Sequence, residues 1–125
     1  MIKRINDNYY KVYCPICDYW FDGSEYLMTI FENNDYMLWF ANMVTHYRHT
    51  HITSWNKCWG YHGDYYRKKW FKDYDSEKEK VNERAKRQII RKCRSFMQNN
   101  GFTLKNLGEL VTVKEETLKV AMKLL

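Results

Sequence analysis

The sequence is poor in residues that interrupt regular structure and in long apolar segments. It has one Pro and five Gly in 125 residues, which excludes collagen-like and Gly/Pro-rich disordered chains. Its apolar runs are only a few residues long, far below the roughly 20 that a membrane helix needs. The first eight residues lack the apolar core of a secretory signal. We therefore expect an intracellular, cytoplasmic protein with no membrane partner, whose Cys residues are thiols or metal ligands rather than disulfides.

The net charge of +6 is distributed unevenly along the chain. Residues 1–56 carry a net charge of −2, residues 57–94 a net charge of +7, and residues 95–125 a net charge of +1. A negatively charged partner is therefore expected on the middle or later part of the chain. The sequence has neither a Gly-rich phosphate loop nor a Ser/His/Asp arrangement, so we expect no enzyme and no small-molecule substrate.

Two Cys and three His residues form a candidate metal site in the first third of the chain. Cys14 and Cys17 have the Cys-x2-Cys spacing that brings two thiolates to one tetrahedral ion. His46 and His51 lie within the spacing range of His pairs in such sites, and His49 is the alternative fourth ligand. Four protein ligands close the coordination shell, which indicates one structural Zn²⁺ ion. The other interpretation is that the thiols are unligated and buried as small apolar groups.

Around these ligands, residues 12–51 resemble the Cys2His2 zinc finger. Apolar residues occupy the positions that the family keeps apolar: Val12, Phe21, Leu27 and Met43. The resemblance implies a ββα fold and the metal ligands named above. Here 28 residues separate Cys17 from His46, against about 12 in the family, so an insertion is expected before the helix or at its start. For that reason only the metal ligands, and not the family's DNA-reading positions, are carried over.

The segment between the Cys and His pairs contains the signal of a helix start. Asn33-Asn34-Asp35 offers short polar side chains that can cap free backbone N–H groups. The following run, residues 36–50, is apolar over a wide arc and predicts a well-buried helix that carries the imidazoles in its last turns.

Residues 55–74 interleave aromatic rings with Lys and Arg. This pattern suits a groove in which bases stack on rings while cations hold phosphates. We favour the alternative, in which the rings complete a small core and the cations lie at its edge. The rings in question are Trp55, Trp59, Trp70 and Phe71. Gly60 and Gly63 mark the expected boundary between the metal module and the rest.

A long helix is predicted from Ser76 to Asn99, opened by a Ser76/Glu79 capping box and ended before Gly101. One side of this helix is apolar: Val81, Ala85, Ile89, Cys93 and Phe96. The opposite side, called here the basic face, consists of Lys80, Arg84, Arg87, Arg91 and Arg94. Residues 84–94 contain six cations and no acid, a composition that suits phosphate contacts. Simple solvation of the helix back accounts for this face equally well.

The last segment, about residues 103–125, resembles a helix-turn-helix DNA-binding unit. Leu107-Gly108 matches the apolar-then-small pair of the first helix, and Thr117-Leu118 matches the polar-then-apolar pair of the recognition helix. The resemblance implies that four residues face phosphates or base edges: Lys114, Thr117, Lys119 and Lys123. A three-helix bundle that uses the same packing for stability is the alternative.

Together these patterns predict a mainly α fold with a small β-hairpin, in which a zinc finger-like ββα module precedes a helical C-terminal bundle. The expected regions are 1–56 (metal module), 57–74 (aromatic and basic connector) and 75–125 (three helices). The leading functional hypothesis is a small zinc-binding protein that binds nucleic acid, with DNA favoured and a regulatory role. The second is a protein-interaction adaptor or inhibitor, for example a mobile-element factor. A metal-dependent nuclease built on His49 and His62 is the third.

Overall fold

The computed structural model describes residues 1–53, 55, 62–70 and 74–103. This part of the chain is mainly helical and has one small antiparallel sheet, so the predicted mainly α class is confirmed. The helix-turn-helix prediction for residues 103–125, with its four candidate contact residues, lies outside the described residues apart from residue 103. The predicted division into three regions likewise stays a prediction.

Three strands form the sheet, in the order β1 (Ile2–Asn6), β2 (Tyr9–Cys14) and β3 (Tyr19–Asp22). Side chains alternate along β2, since Tyr10, Val12 and Cys14 are buried while the residues between them point outward. The sheet thus has three strands, whereas the predicted hairpin has two. The first strand pairs Ile2 with Val12. Asn6 shapes the turn between β1 and β2, because its side chain accepts a hydrogen bond from the Asn8 N–H at 2.9 Å.

Two helices follow the sheet, α1 (Glu25–Ile30) and α2 (Asp35–His51). The Asn34 side chain caps α2 by accepting a hydrogen bond from the Met37 N–H at 3.1 Å, which confirms the predicted helix start. The residues between Cys17 and His46 thus form β3, α1 and most of α2. The predicted burial of α2 is also confirmed, and its fully buried apolar residues are Leu38, Trp39, Phe40, Ala41, Met43 and Val44.

The later described residues form α3 (Gly63–Trp70), α4 (Tyr74–Lys92) and α5 (Arg94–Asn99). The helix predicted from residue 76 to residue 99 therefore begins two residues earlier, which places Ser76 inside α4 and rules out its predicted role as cap. It is also divided at Cys93, whose φ of −105° and ψ of 12° depart from helical values. The Cys93 N–H still donates to the Ile89 carbonyl at 2.8 Å, so the division is a local distortion.

The end of α5 is a Schellman motif centred on Gly101. The Phe102 N–H donates to the Met97 carbonyl at 2.9 Å, and the Gly101 N–H donates to the Gln98 carbonyl at 3.2 Å. Gly101 has a φ of +89°, and a Cβ at this position would lie 2.7 Å from the Tyr36 hydroxyl oxygen. The predicted stop at this Gly is therefore confirmed by both backbone conformation and space.

The core lies between the sheet, α2 and α4. Helix α4 packs antiparallel to α2, since Arg48 near the end of α2 donates to Asn82 in the first half of α4 at 2.8 Å. Beyond the end of α4, Phe96 of α5 contacts Trp39 near the start of α2, with ring centroids 5.6 Å apart. The predicted apolar side of α4 is buried at Val81, Ala85, Ile89 and Cys93. Trp55 is 1% exposed, as the core interpretation of the aromatic segment expects, whereas the other three rings lie outside the described side chains.

Candidate metal centre

The turn between β2 and β3 carries both thiols. Cys14 is the last residue of β2, and Pro15 follows at the turn position where its fixed φ is favoured. The Cys17 N–H points back at the Cys14 sulfur, with 3.3 Å between N and Sγ. Asp18 closes the turn in the left-handed conformation, with a φ of 52°, and accepts a hydrogen bond from the Tyr13 hydroxyl. Both sulfurs therefore lie on one side of a tight knuckle.

The last turns of α2 bring two imidazoles to this knuckle. The Cys17 Sγ lies 3.3 Å from His46 Nε2 and 2.9 Å from His51 Nε2. The Cys14 sulfur completes the group, and all four ligand atoms lie within 4.8 Å of one another. The structure thus brings together the four residues that the sequence pattern selected. Among the described residues this is the one group of Cys, His or carboxylate side chains with such spacing.

The donor set and its dimensions fit a tetrahedral metal ion. With Zn–S bonds near 2.3 Å and Zn–N bonds near 2.0–2.1 Å, the edges of the tetrahedron measure about 3.3–3.8 Å. The measured separations of 2.9–3.3 Å and the upper bound of 4.8 Å bracket these edges. Two thiols and two imidazoles are a common donor set for structural zinc. The cluster can therefore hold one metal ion.

A neighbouring hydroxyl group orients one of the imidazoles. The Thr50 hydroxyl oxygen lies 3.4 Å from His46 Nδ1, which leaves Nε2 facing the cluster. The His46 ring also stacks on Phe21, with ring centroids 4.2 Å apart and an interplanar angle of 8°. Metal-binding imidazoles are usually held in this way through their second nitrogen. The contacts with Thr50 and Phe21 place His46 Nε2 in position before any ion binds.

His49, the alternative ligand, belongs to a different set of contacts. Its Nδ1 accepts a hydrogen bond from Trp55 Nε1 at 3.2 Å, and its Nε2 lies 3.4 Å from an Arg48 guanidinium nitrogen. The Arg48 guanidinium also lies over the Trp55 ring, 4.6 Å from its centroid. Both His49 nitrogens are therefore directed at Trp55 and Arg48 rather than at the thiols.

Burial sets the protonation state of the cluster in the absence of metal. Burial, then a hydrogen bond with Cys14 and the proximity of its charge, raises the pKa of the Cys17 thiol to about 11. Burial, followed by the nearby His51 and His49, lowers the pKa of His46 to about 4. The pKa of His51 is lowered by burial and by Lys92. Near neutral pH these imidazoles are thus in the neutral form that binds metal, whereas the Cys17 thiol must lose a proton.

The apolar positions predicted from the zinc finger resemblance belong to the core that also contains Cys14. Val12, Leu27 and Met43 are each fully buried, and Phe21 is half-buried against His46. One further neighbour was missed by the sequence reasoning, because Cys93 lies far from the cluster along the chain. It is 2% exposed, and burial together with the nearby Cys14 raises its pKa to about 12. Cys93, the residue between α4 and α5, is therefore a neighbour of the metal ligand Cys14.

The predicted basic face lies at the surface of α4 and α5. Its five members, Lys80, Arg84, Arg87, Arg91 and Arg94, are all exposed. Within the described part of the chain, none of the four arginines forms an ion pair, whereas Lys80 lies 3.6 Å from Glu77. Lys86, a cation outside this face, is 3% exposed and pairs with Glu83 at 2.5 Å. Glu83, the acid near the middle of α4, is thus paired with a cation outside the basic face.

Comparison of the chain with protein-family models, with curated proteins and with solved structures gave no match. In the part of the chain that the structure describes, no helix is long and apolar enough to cross a membrane. The chain therefore has a Cys2His2 group that can bind one metal ion, on a mainly helical fold with a three-stranded antiparallel sheet.

Proposed function

We propose that this chain is a small zinc-binding protein that binds nucleic acid, preferably DNA, and acts in regulation rather than catalysis. The observation that supports a nucleic-acid partner is the exposed basic face, where four arginines without acidic partners follow one side of α4 and α5. Planar guanidinium groups at this spacing suit the phosphates of a nucleic-acid backbone.

In this proposal the metal ion stabilises the fold. Two thiolates and two imidazoles close a tetrahedral shell, so no coordination position is left for a water or a substrate. When bound, Zn²⁺ would join the β2–β3 turn to the end of α2. Without the ion, these two elements are held by apolar core contacts. Metal-binding free energy is then folding free energy.

The metal centre and the basic face are mechanically connected. Lys92, the last residue of α4, lies 5.7 Å above the Tyr47 ring, and the Tyr47 hydroxyl donates to Gln88. Tyr47 in turn contacts the ring of the metal ligand His51, with centroids 4.9 Å apart. Through these contacts a bound metal would hold the end of α4, and with it Arg91, in a fixed orientation.

Replacement of two arginines on the basic face tests the proposal. In an Arg87→Ala/Arg91→Ala variant, the slope of log affinity against log salt should fall by about 1.8, because each phosphate contact contributes about 0.9. The affinity for duplex DNA should fall about 60-fold at 0.1 M salt by the same relation. Stability should change by under about 0.5 kcal/mol, since both side chains are exposed.

A Lys68→Ala/Lys69→Ala variant is the matched control, because it removes the same charge from exposed positions on α3. If both double variants lose affinity equally, overall charge and not the basic face binds DNA. If the wild type binds no DNA even near 50 mM salt, where electrostatic binding is strong, the nucleic-acid proposal is wrong. The adaptor hypothesis, in which the basic face binds an acidic protein, would then replace it.

A further inference from the structure

The outer face of the sheet, which points away from α2, carries an unusual set of side chains. Alternation places Tyr9, Lys11 and Tyr13 of the central strand β2 on this face. Register adds Lys3 from β1 opposite Lys11, and Trp20 from β3 opposite Tyr13. Rings and ammonium groups therefore alternate along the middle of a three-stranded sheet.

Two of the rings on this face are exposed, whereas the Tyr13 ring is half-buried. Trp20 is 41% exposed and Tyr9 is 37% exposed. The Tyr13 and Trp20 rings lie side by side across the two strands, with centroids 5.3 Å apart. Large exposed aromatic groups on a small protein are informative, since most proteins bury them. Here two strands hold them in fixed positions, so little conformational entropy would be lost when they bind a flat ligand.

The charges on the outer face complement an anion that carries flat rings. The Lys11 ammonium lies 5.5 Å above the Tyr9 ring and 2.6 Å from Asp22, which neutralises one of the two cations. Lys3, opposite Lys11 in the register, forms no ion pair within the described residues. Its ammonium group is therefore the cation of this face that can hold a phosphate.

A row of rings extends from the outer face towards α5. Tyr13 contacts Phe96 of α5, with centroids 5.6 Å apart. Phe96 stands two residues after Arg94, the last arginine of the basic face, in the same short helix. Because two residues differ by about 200° around a helix axis, Arg94 and Phe96 lie on opposite sides of α5, and the outer face is a surface separate from the basic face.

We propose that the outer face binds single-stranded nucleic acid by stacking unpaired bases on Trp20 and Tyr9 while Lys3 holds a phosphate. The inference rests on the proposed function for its nucleic-acid partner. It goes further in naming unpaired bases as the ligand and a second surface as their site. Paired bases hide their faces within the duplex, so rings of this kind favour single strands.

Removal of one ring tests the stacking surface. The probe is a labelled oligothymidylate of about 15 nucleotides, which covers the usual range of site sizes, and the same dye on a duplex serves for comparison. In fluorescence anisotropy with the full chain, Trp20→Ala should weaken single-strand binding about 5- to 100-fold and leave duplex binding unchanged. Trp20→Phe should retain most of the affinity because it keeps a ring.

Tyr26→Ala is the matched control, since Tyr26 is 39% exposed but lies on α1, and it should bind both probes as the wild type does. Thermal unfolding of each variant separates lost stacking from lost folding. Single-strand binding by Trp20→Ala equal to the wild type would overturn the inference. The inference would also be overturned if Trp20→Ala changed the protein from dimer to monomer in sedimentation and abolished binding of both the single-stranded and the duplex probe. That result would identify the outer face as an interface between two copies of this chain.

The two proposals fail in different ways in this experiment. If Arg87→Ala/Arg91→Ala loses duplex binding while Trp20→Ala binds single strands normally, the proposed function stands and the stacking surface is wrong. If Trp20→Ala weakens single-strand binding and the arginine variant binds both probes normally, the stacking surface stands and the basic face is solvated surface. If the wild type binds neither probe, both proposals are wrong.

Discussion

Binding of Zn²⁺ to the metal centre should release two protons per ion near neutral pH. Both cysteines are free thiols, and the pKa of Cys17 is raised to about 11, so each must lose its proton to bind as thiolate. The pKa of His46 is lowered to about 4, and the pKa of His51 is also lowered. The imidazoles are therefore already neutral and contribute no protons.

The magnitude of the pH dependence follows from this proton count. Two protons released correspond to an affinity that rises about 100-fold per pH unit, or about 2.7 kcal/mol per pH unit. This slope should hold near neutral pH, because the pKa of His46 lies well below that range and the pKa of Cys17 lies well above it. Its sign is fixed, since protons compete with the metal: affinity rises as pH rises.

Calorimetric titration of the metal-free protein with Zn²⁺, in buffers of different ionisation enthalpy, measures the number of protons directly. A Cys17→Ser variant should release about one proton, because one thiol remains. A His49→Ala variant should release two, because His49 faces Trp55 and not the cluster. Release of no protons by the wild type, or an affinity independent of pH, would refute the assignment of two thiolate ligands.

Three further outcomes are expected. His51→Ala should lose more metal affinity than the roughly 10- to 100-fold that removal of an outer-shell partner costs, whereas His49→Ala should retain its affinity in a competition titration. Gly101→Ala should destabilise the protein by about 1–2 kcal/mol in denaturant unfolding, because φ is +89° and the new Cβ would meet the Tyr36 hydroxyl. The metal-free protein should lose stability as pH falls from about 6.5 to about 4, because burial lowers the pKa values of His46, His49 and His51, and the unfolded chain takes up protons that the folded chain does not bind.

Each of these outcomes has a result that contradicts it. Equal loss of metal affinity in the two His variants would mean that the ligand assignment in α2 is wrong. For the Gly substitution, Gln98→Ala in the same helix is the control, since Gln98 is exposed, and equal stability of the two variants would contradict the Schellman motif. A pH-independent free energy of unfolding between pH 6.5 and 4 would contradict the lowered pKa values of these imidazoles.

Local signals in the sequence predicted the helices better than the sheet. The cap at Asn34 and the Gly at 101 each act through the nearest backbone groups, and both were confirmed. Strand β1 was missed because its pairing with β2 depends on distant residues, although the Asn-rich turn before β2 was a usable signal. The division at Cys93 has no such signal, since neither Pro nor Gly marks it and the helical hydrogen bonds continue across it.

Spacing along the chain was sufficient to select the metal-ligand candidates but not to choose among the imidazoles. His49 and His51 both satisfy the spacing rule, and they differ only in what their rings meet in three dimensions. The two ring nitrogens of His49 contact Trp55 and Arg48, whereas Nε2 of His51 contacts the Cys17 thiol. Contacts of this kind depend on how α2 packs on the elements around it, and periodicity within one helix contains no information about them.

Metal analysis of the purified protein, combined with thermal unfolding before and after chelation, tests the central claim most directly. The structure leads us to expect one Zn²⁺ per chain, bound by Cys14, Cys17, His46 and His51, with a large fall in melting temperature when a chelator removes it. A protein that carries no zinc, and whose melting temperature is unaffected by the chelator, would contradict the account.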